Sequence, residues 1–284
     1  PTFVGNSYIS VVRGDVTATI IGSSTNSHSA NAVHTGNTNI FIYVPLSTES
    51  TNALSANQAP HLGDYVIGGG AHVDNGAGGT NKIDGNTNIT IDLSEYADER
   101  TTFVKSVVGG HFSENSSHGQ TITGSTNVTI KGGSIQFTRD IIGGSYFNSN
   151  SNSSTIDGGV SLSIEGGIYS RNVIGGTKVT NSAGSTVGAV EVSLSGTAQI
   201  SGNVYAAGTI DGEGTGSPTV ASTTVNLGAD GSLGGTLSGG FGGANADRGK
   251  VTDSKVLNLT EAKEYTHLST VTLDAFTEIS VVKD

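Results

Sequence analysis

The chain has 284 residues, 43 of them Gly, with no Cys, Met or Trp, and its 13 Lys and Arg face 24 Asp and Glu for a net charge of −11. No Cys means no disulfide framework and no thiolate metal site, and the negative balance argues against nucleic acid, whose phosphates would be repelled. No apolar run approaches the ~18 residues of a spanning helix, so membrane insertion of this segment is not expected. Apolar residues are 34% and charged residues 13%. Low charge with regularly spaced Val, Ile and Leu is not the composition of a disordered tail. A chain without Met does not begin at its own start codon, which implies processing or a fragment of a longer protein.

In chain order, an alternation at Ile9 and Val11 comes first, followed by a recurring apolar pair and small residues. The pair reads IIGS at 20–23, VIGG at 66–69, VVGG at 107–110, IIGG at 141–144, VIGG at 173–176, VYAA at 204–207 and LSGG at 237–240. Its starts lie 46, 41, 34, 32, 31 and 33 residues apart. A second marker keeps nearly the same beat: Ile40/Ile42, Ile89/Ile91, Val128/Ile130, Leu162/Ile164, Val192/Leu194, Val225/Leu227 and Leu257/Leu259, at spacings of 49, 39, 34, 30, 33 and 32. Each second-marker pair encloses one outward residue, from Phe41 and Thr90 to Asn226 and Asn258. Apolar–other–apolar alternation is the period of a strand with one buried face.

Gly-containing corners follow, as at Lys131-Gly132-Gly133 and Glu165-Gly166-Gly167, then a short third strand such as Ser134 to Phe137. Strand, corner and strand with no helix-period segment exclude a βαβ unit. The fold class expected is all-β, a single-domain parallel β-helix of about seven to eight three-strand rungs, with right-handed winding. Seven rungs give a rod of roughly 30–35 Å. Polar loops at 73–81, 113–120, 148–154, 211–221 and 242–249 should protrude from one edge, and Pro45 to Pro60 is the longest insertion. Repeats occupy 1–267; in 268–284 the alternation of Val271, Leu273, Ile279 and Val281 lacks the Gly signature and is read as a terminal cap.

Gly-, Asn-, Ser- and Thr-rich repeats without Cys, with strands such as Ser125-Thr126-Asn127-Val128-Thr129-Ile130, resemble bacterial autotransporter passengers and related β-helical surface adhesins. The resemblance covers nearly the whole chain and is one of architecture and composition. It implies secretion and display at the bacterial cell surface, with a host glycan or surface protein as partner.

Five side chains form the candidate ligand site. Lys105, Arg139 and Arg171 each precede an apolar pair by two residues, so in register they form a basic column with about 5 Å per step. Asp140 and Glu165 could offset the column as ordinary ion pairs; the alternative is a shallow anion site for a sulfated or uronic-acid glycan. Phe112 and Tyr146, just after the small residues, could add a stacking face or simply pack beneath the loops. Arg13-Gly14-Asp15 matches the integrin-recognition tripeptide, against the plainer reading of a Gly corner with solvated neighbours. His72, His111 and His118 hold no repeating offset to one another or to a carboxylate, so neither a metal nor a cofactor is expected. A lyase or hydrolase needs a base or paired acids, and none recurs on neighbouring repeats. The expected function is therefore a non-catalytic adhesin or display scaffold. The alternatives are a structural subunit that self-associates end to end and a polysaccharide lyase.

Overall fold

A computed structural model of the chain describes residues 2–11, 15–23, 31–43, 61–72, 79–94, 102–113, 119–132, 135–148, 153–180, 184–213, 215–228, 231–260, 273–274 and 276–282. Among these the fold is all-β, with one short 3-10 turn at Ala246–Arg248. The pass through residues 119–147 shows the plan. Gly119–Ile122 lies in sheet 1, Thr126–Lys131 in sheet 2, Ile135–Phe137 in sheet 3, Ile141–Ile142 in sheet 4 and Tyr146–Phe147 in sheet 5. The chain then returns to sheet 1 at Ser153–Ile156, which pairs in parallel with Gly119–Ile122.

Repetition of this pass builds sheets of eight, nine, five, eight and six strands, in which each strand pairs with its counterpart one repeat away. A two-stranded sheet, Asp15–Val16 with His61–Leu62, completes the set. The architecture is solenoid-like. One full pass holds five strand segments where the spacing suggested three, because the short strands of sheets 5 and 1 flank the loops and carry no Gly signature.

The two expected columns of sheet 2 are both present. Ile89, Val128, Leu162, Val192, Val225 and Leu257 are in register and buried. So are Ile91, Ile130, Ile164, Leu194 and Leu227, with Leu259 partly buried at the far end. Burying each such side chain stabilises by about 1.5–3 kcal/mol, so the stacked columns are the main source of cohesion. The segment read as a cap adds Glu278–Val282 to sheet 2, in parallel with Lys255–Thr260, and so continues these columns.

Sheet 4 explains the apolar pair. Val66, Val107, Ile141 and Val173 belong to the main core, whereas their successors Ile67, Val108, Ile142 and Ile174 form a second apolar cluster on the opposite face. Consecutive strand residues point to opposite faces, so a run of two apolar residues means that both faces are covered. The Gly that follows allows close approach of the next repeat: a Cβ on Gly143 would sit 2.5 Å from the Gly175 carbonyl oxygen and 2.7 Å from Val160 Cγ1. Buried threonines of sheet 2 satisfy several of these carbonyls across the core. Thr38, Thr87 and Thr126 donate to the Gly68, Gly109 and Gly143 oxygens at 2.6, 2.7 and 2.9 Å.

Candidate functional site

The second apolar cluster lies on the face of sheet 4 turned away from the main core, where residues of sheets 4 and 5 line a groove. Ala71, Phe112, Tyr146, Lys178 and Thr209 occupy one file of sheet 5, each paired with the next. Tyr65 of sheet 4 joins them. Its ring centroid is 4.8 Å from that of Phe112, which is 5.1 Å from that of Tyr146, at interplanar angles of 50° and 32°. Cations sit at the two ends of this stack, Lys105 Nζ 4.7 Å from the Tyr65 centroid and Lys178 Nζ 6.0 Å from that of Tyr146. Phe112 is buried and its neighbours stack against it, so it forms the floor and the partly exposed tyrosines form the rim. A small depression of about 60 Å³ opens beside them, bounded by Tyr65, Arg139, Asp140, Tyr146 and Lys178.

Charge in the groove is arranged differently from the expected column. Between paired residues Val104/Phe137 and Val107/Ile141 the Lys105 corner has one residue fewer than the Arg139 corner. Between Phe137/Tyr169 and Ile141/Val173 the corners are equal, so Arg139 and Arg171 are in register and Lys105 is displaced from their file. Counting back from one strand alone hides this difference.

The compensating acids also differ. Lys105 pairs with Asp64 at 3.2 Å, Lys178 with Asp140 at 2.5 Å and with Asp211 at 3.7 Å, and Glu165 with Lys131 at 3.7 Å. Burial alone would raise the Asp64 pKa, but the Thr19 hydroxyl at 2.7 Å and Lys105 outweigh it and hold the carboxyl below its ordinary value. Burial alone would lower the Lys178 pKa; Asp140 and Asp211 reverse that and hold it above the ordinary lysine value.

Asp140 has a second task. Its Oδ1 accepts the Asn172 N–H at 3.0 Å, and Asn172 Oδ1 in turn accepts the Asn203 N–H at 2.9 Å, a side-chain ladder that fixes the corner between sheets 3 and 4. Arg139 donates from Nη1 to the Tyr65 hydroxyl at 3.0 Å. Both Arg139 and Arg171 are exposed, and among the described residues neither has a carboxylate partner.

The groove therefore brings together Arg139, Phe112 and Tyr146, with Lys105 at one end of the aromatic stack in its ion pair with Asp64; Arg171 is in register with Arg139 one rung on but does not line the depression. Sequence reasoning missed Tyr65, Asp64 and Lys178. A fixed offset of five residues from the first member of each apolar pair marks Phe112, Tyr146 and Lys178 alike, and that offset would have found the lysine. Of the tripeptide, Arg13 and Gly14 lie outside the described residues and Asp15 begins a strand. His118 is also outside them, while buried His111 accepts the Gly70 N–H on Nδ1 at 3.0 Å and its own N–H donates to Ser145 Oγ at 3.0 Å. Among the described residues no three His, Cys, Asp or Glu side chains are grouped to hold a metal, and no helix is long and apolar enough to cross a membrane.

Comparison with protein-family models, curated proteins and solved structures found no match. The groove geometry thus carries the functional reading by itself.

Proposed function

We propose that the chain is a right-handed parallel β-helix of about seven to eight rungs from a secreted bacterial protein, displayed at the cell surface as an adhesin or scaffold that binds host glycans or proteins without catalysis. The observation that carries this reading is the outer groove. There the Ser-, Thr- and Asn-rich surface gives way to aromatic rims and charged groups gathered around a small depression. Concave, partly aromatic clefts with a few convergent polar groups are the usual form of a ligand site.

The charge pattern favours binding over chemistry. A lyase of acidic polysaccharides needs a base to take a proton. Lys178 is held protonated by Asp140 and Asp211, and Asp140 is occupied by Lys178 and the Asn172 N–H. Solenoids commonly bind along an extended face of this kind.

The test is a glycan array and a pulldown with host-cell proteins, using wild type and the groove variant Arg139→Ala/Tyr146→Ser, with product formation from acidic polysaccharides followed in parallel. Binding lost in the variant supports the reading. Equal binding by the variant would move the site elsewhere, and turnover would overturn the non-catalytic claim. End-to-end association is the second reading. It is favoured by the exposed apolar side chains of Phe3, Val4 and Tyr8 in the first rung described and of Ile279 and Val281 in the last. Sedimentation velocity separates the two, since only this second reading predicts growth of the particle with concentration.

A further inference from the structure

We infer that Arg139 and Arg171 together hold one anionic group, a carboxylate or sulfate ester, of a sparsely charged acidic polysaccharide; this rests on the reading of the groove as a glycan site. Among the described residues Lys82, Lys105, Lys131 and Lys178 are ion-paired with an acid, whereas Arg139, Arg171, Arg248, Lys250 and Lys255 are not. Arg139 and Arg171 stand apart from the other unpaired cations because they are in register on adjacent rungs. Strands in a sheet lie about 4.8 Å apart, and like charges facing each other at that distance are destabilising unless an anion offsets them.

The nearest acid cannot do so. Asp140 adjoins Arg139 in sequence but is turned to Lys178 and the Asn172 N–H. Beyond Arg171 the file continues as Gly202, whose backbone lies against the Arg171 carbonyl, so no side chain of that position covers the guanidinium. A planar guanidinium fork suits an oxyanion, which it binds with two parallel hydrogen bonds. The Tyr65 hydroxyl, 3.0 Å from Arg139 Nη1, orients one fork beside the depression. There the Asp140–Lys178 pair and the Tyr146 rim offer partners to sugar hydroxyls.

The same map sets the charge density of the ligand. Asp140 lines the depression, Asp211 shares Lys178 with it, Asp64 pairs with Lys105 beside Tyr65, and the chain as a whole is negative. A polymer with an anion on every unit would meet these carboxylates, whereas anions separated by neutral sugars would not. A densely sulfated chain should gain nothing from its extra charge.

Calorimetric titration tests the inference with hyaluronan oligosaccharides, in which uronates alternate with neutral sugars, their carboxyl-reduced neutral counterparts, a sparsely sulfated galactan oligomer, heparin and a glutamate-rich peptide. Wild type should bind hyaluronan, the sulfated galactan or both, and heparin no more tightly. Arg139→Gln and Arg171→Gln should each weaken that binding by about tenfold, the loss of one charge-assisted contact. Lys250→Gln, an exposed cation on sheet 1, should leave it unchanged. The hyaluronan and galactan arms distinguish carboxylate from sulfate. Without ligand, the arginine variants should melt at the wild-type temperature or above it. Equal binding of carboxyl-reduced oligomers, with no effect of either arginine, overturns the anion inference and leaves the glycan site standing. No binding of any oligosaccharide overturns both, and so does arginine-dependent binding of the peptide alone. Tighter heparin binding overturns the claim of sparse charge.

Discussion

Replacing Val128 by Asp tests the inward–outward assignment on which every file in the solenoid depends. Val128 is buried between Ile89 and Leu162 in the first column of sheet 2. Losing its burial costs about 1.5–3 kcal/mol. A carboxyl in so dry a place has its pKa raised by as much as 3–5 units; since it stays protonated once that pKa passes 7, the cost at neutral pH is about 4 kcal/mol, at ~1.36 kcal/mol per unit above the ordinary ~3.9. Together these are comparable with the whole stability of an ordinary domain, about 5–15 kcal/mol. Thr129, the next residue, faces outward between Thr90 and Ser163, and Thr129→Asp should cost less than about 0.5 kcal/mol. Urea and thermal unfolding of both variants measure the difference. The sign with pH is fixed as well. The introduced carboxyl has a folded pKa above its unfolded value, so the penalty grows as pH rises from the unfolded towards the folded value and fades as pH falls towards the unfolded one. Equal effects of the two changes, or a Val128→Asp penalty indifferent to pH, would refute the assignment.

The remaining predictions concern packing, the groove and titration. Gly143→Ala, whose Cβ would meet the Gly175 oxygen and Val160, should destabilise by about 1–3 kcal/mol in thermal melts through overpacking. Asp140→Asn retains an oxygen for the Asn172 N–H and should cost less than Asp140→Ala, by about 1 kcal/mol in urea unfolding; equal costs would deny the corner ladder. Gln120 is buried and, among the described residues, neither of its side-chain polar atoms has a hydrogen-bond partner, so Gln120→Leu should be neutral or raise stability by about 1 kcal/mol. His34 is buried with Nε2 3.0 Å from the Gly5 carbonyl oxygen, and desolvation holds its pKa below 6.5. Its unfolded form therefore takes up a proton first, and stability should drop as pH falls through 6.5, a loss that His34→Gln removes.

The strands of sheet 2 were legible because a strand with one buried face alternates, as Ile89-Thr90-Ile91 does, and the alternation is a property of that strand alone. The apolar pair was legible as a beat and not as a meaning. Val107-Val108 reads the same whether it is a buried strand or part of any apolar run, and only the three-dimensional arrangement separates the core-facing Val107 from the groove-facing Val108. Short strands such as Tyr146–Phe147 carry too few residues for a period to register. The groove was half legible. Arg139, Arg171 and Tyr146 were found by offset, but the Lys105 corner is one residue shorter, which no count from a single strand detects. The Lys178–Asp140 pair joins residues 38 apart in the sequence, and contacts of that range leave no local pattern.

The central functional claim is that ligands bind in the outer groove between sheets 4 and 5 and not on the broad face of sheet 2. Residue-resolved amide shifts during titration with hyaluronan oligosaccharides test it most directly. The account predicts changes confined to 106–112, 138–146 and 171–178 with Tyr65, and none along the outward file Thr90, Thr129, Ser163 and Ser193. Shifts centred on that outward file, with the groove silent, would contradict it.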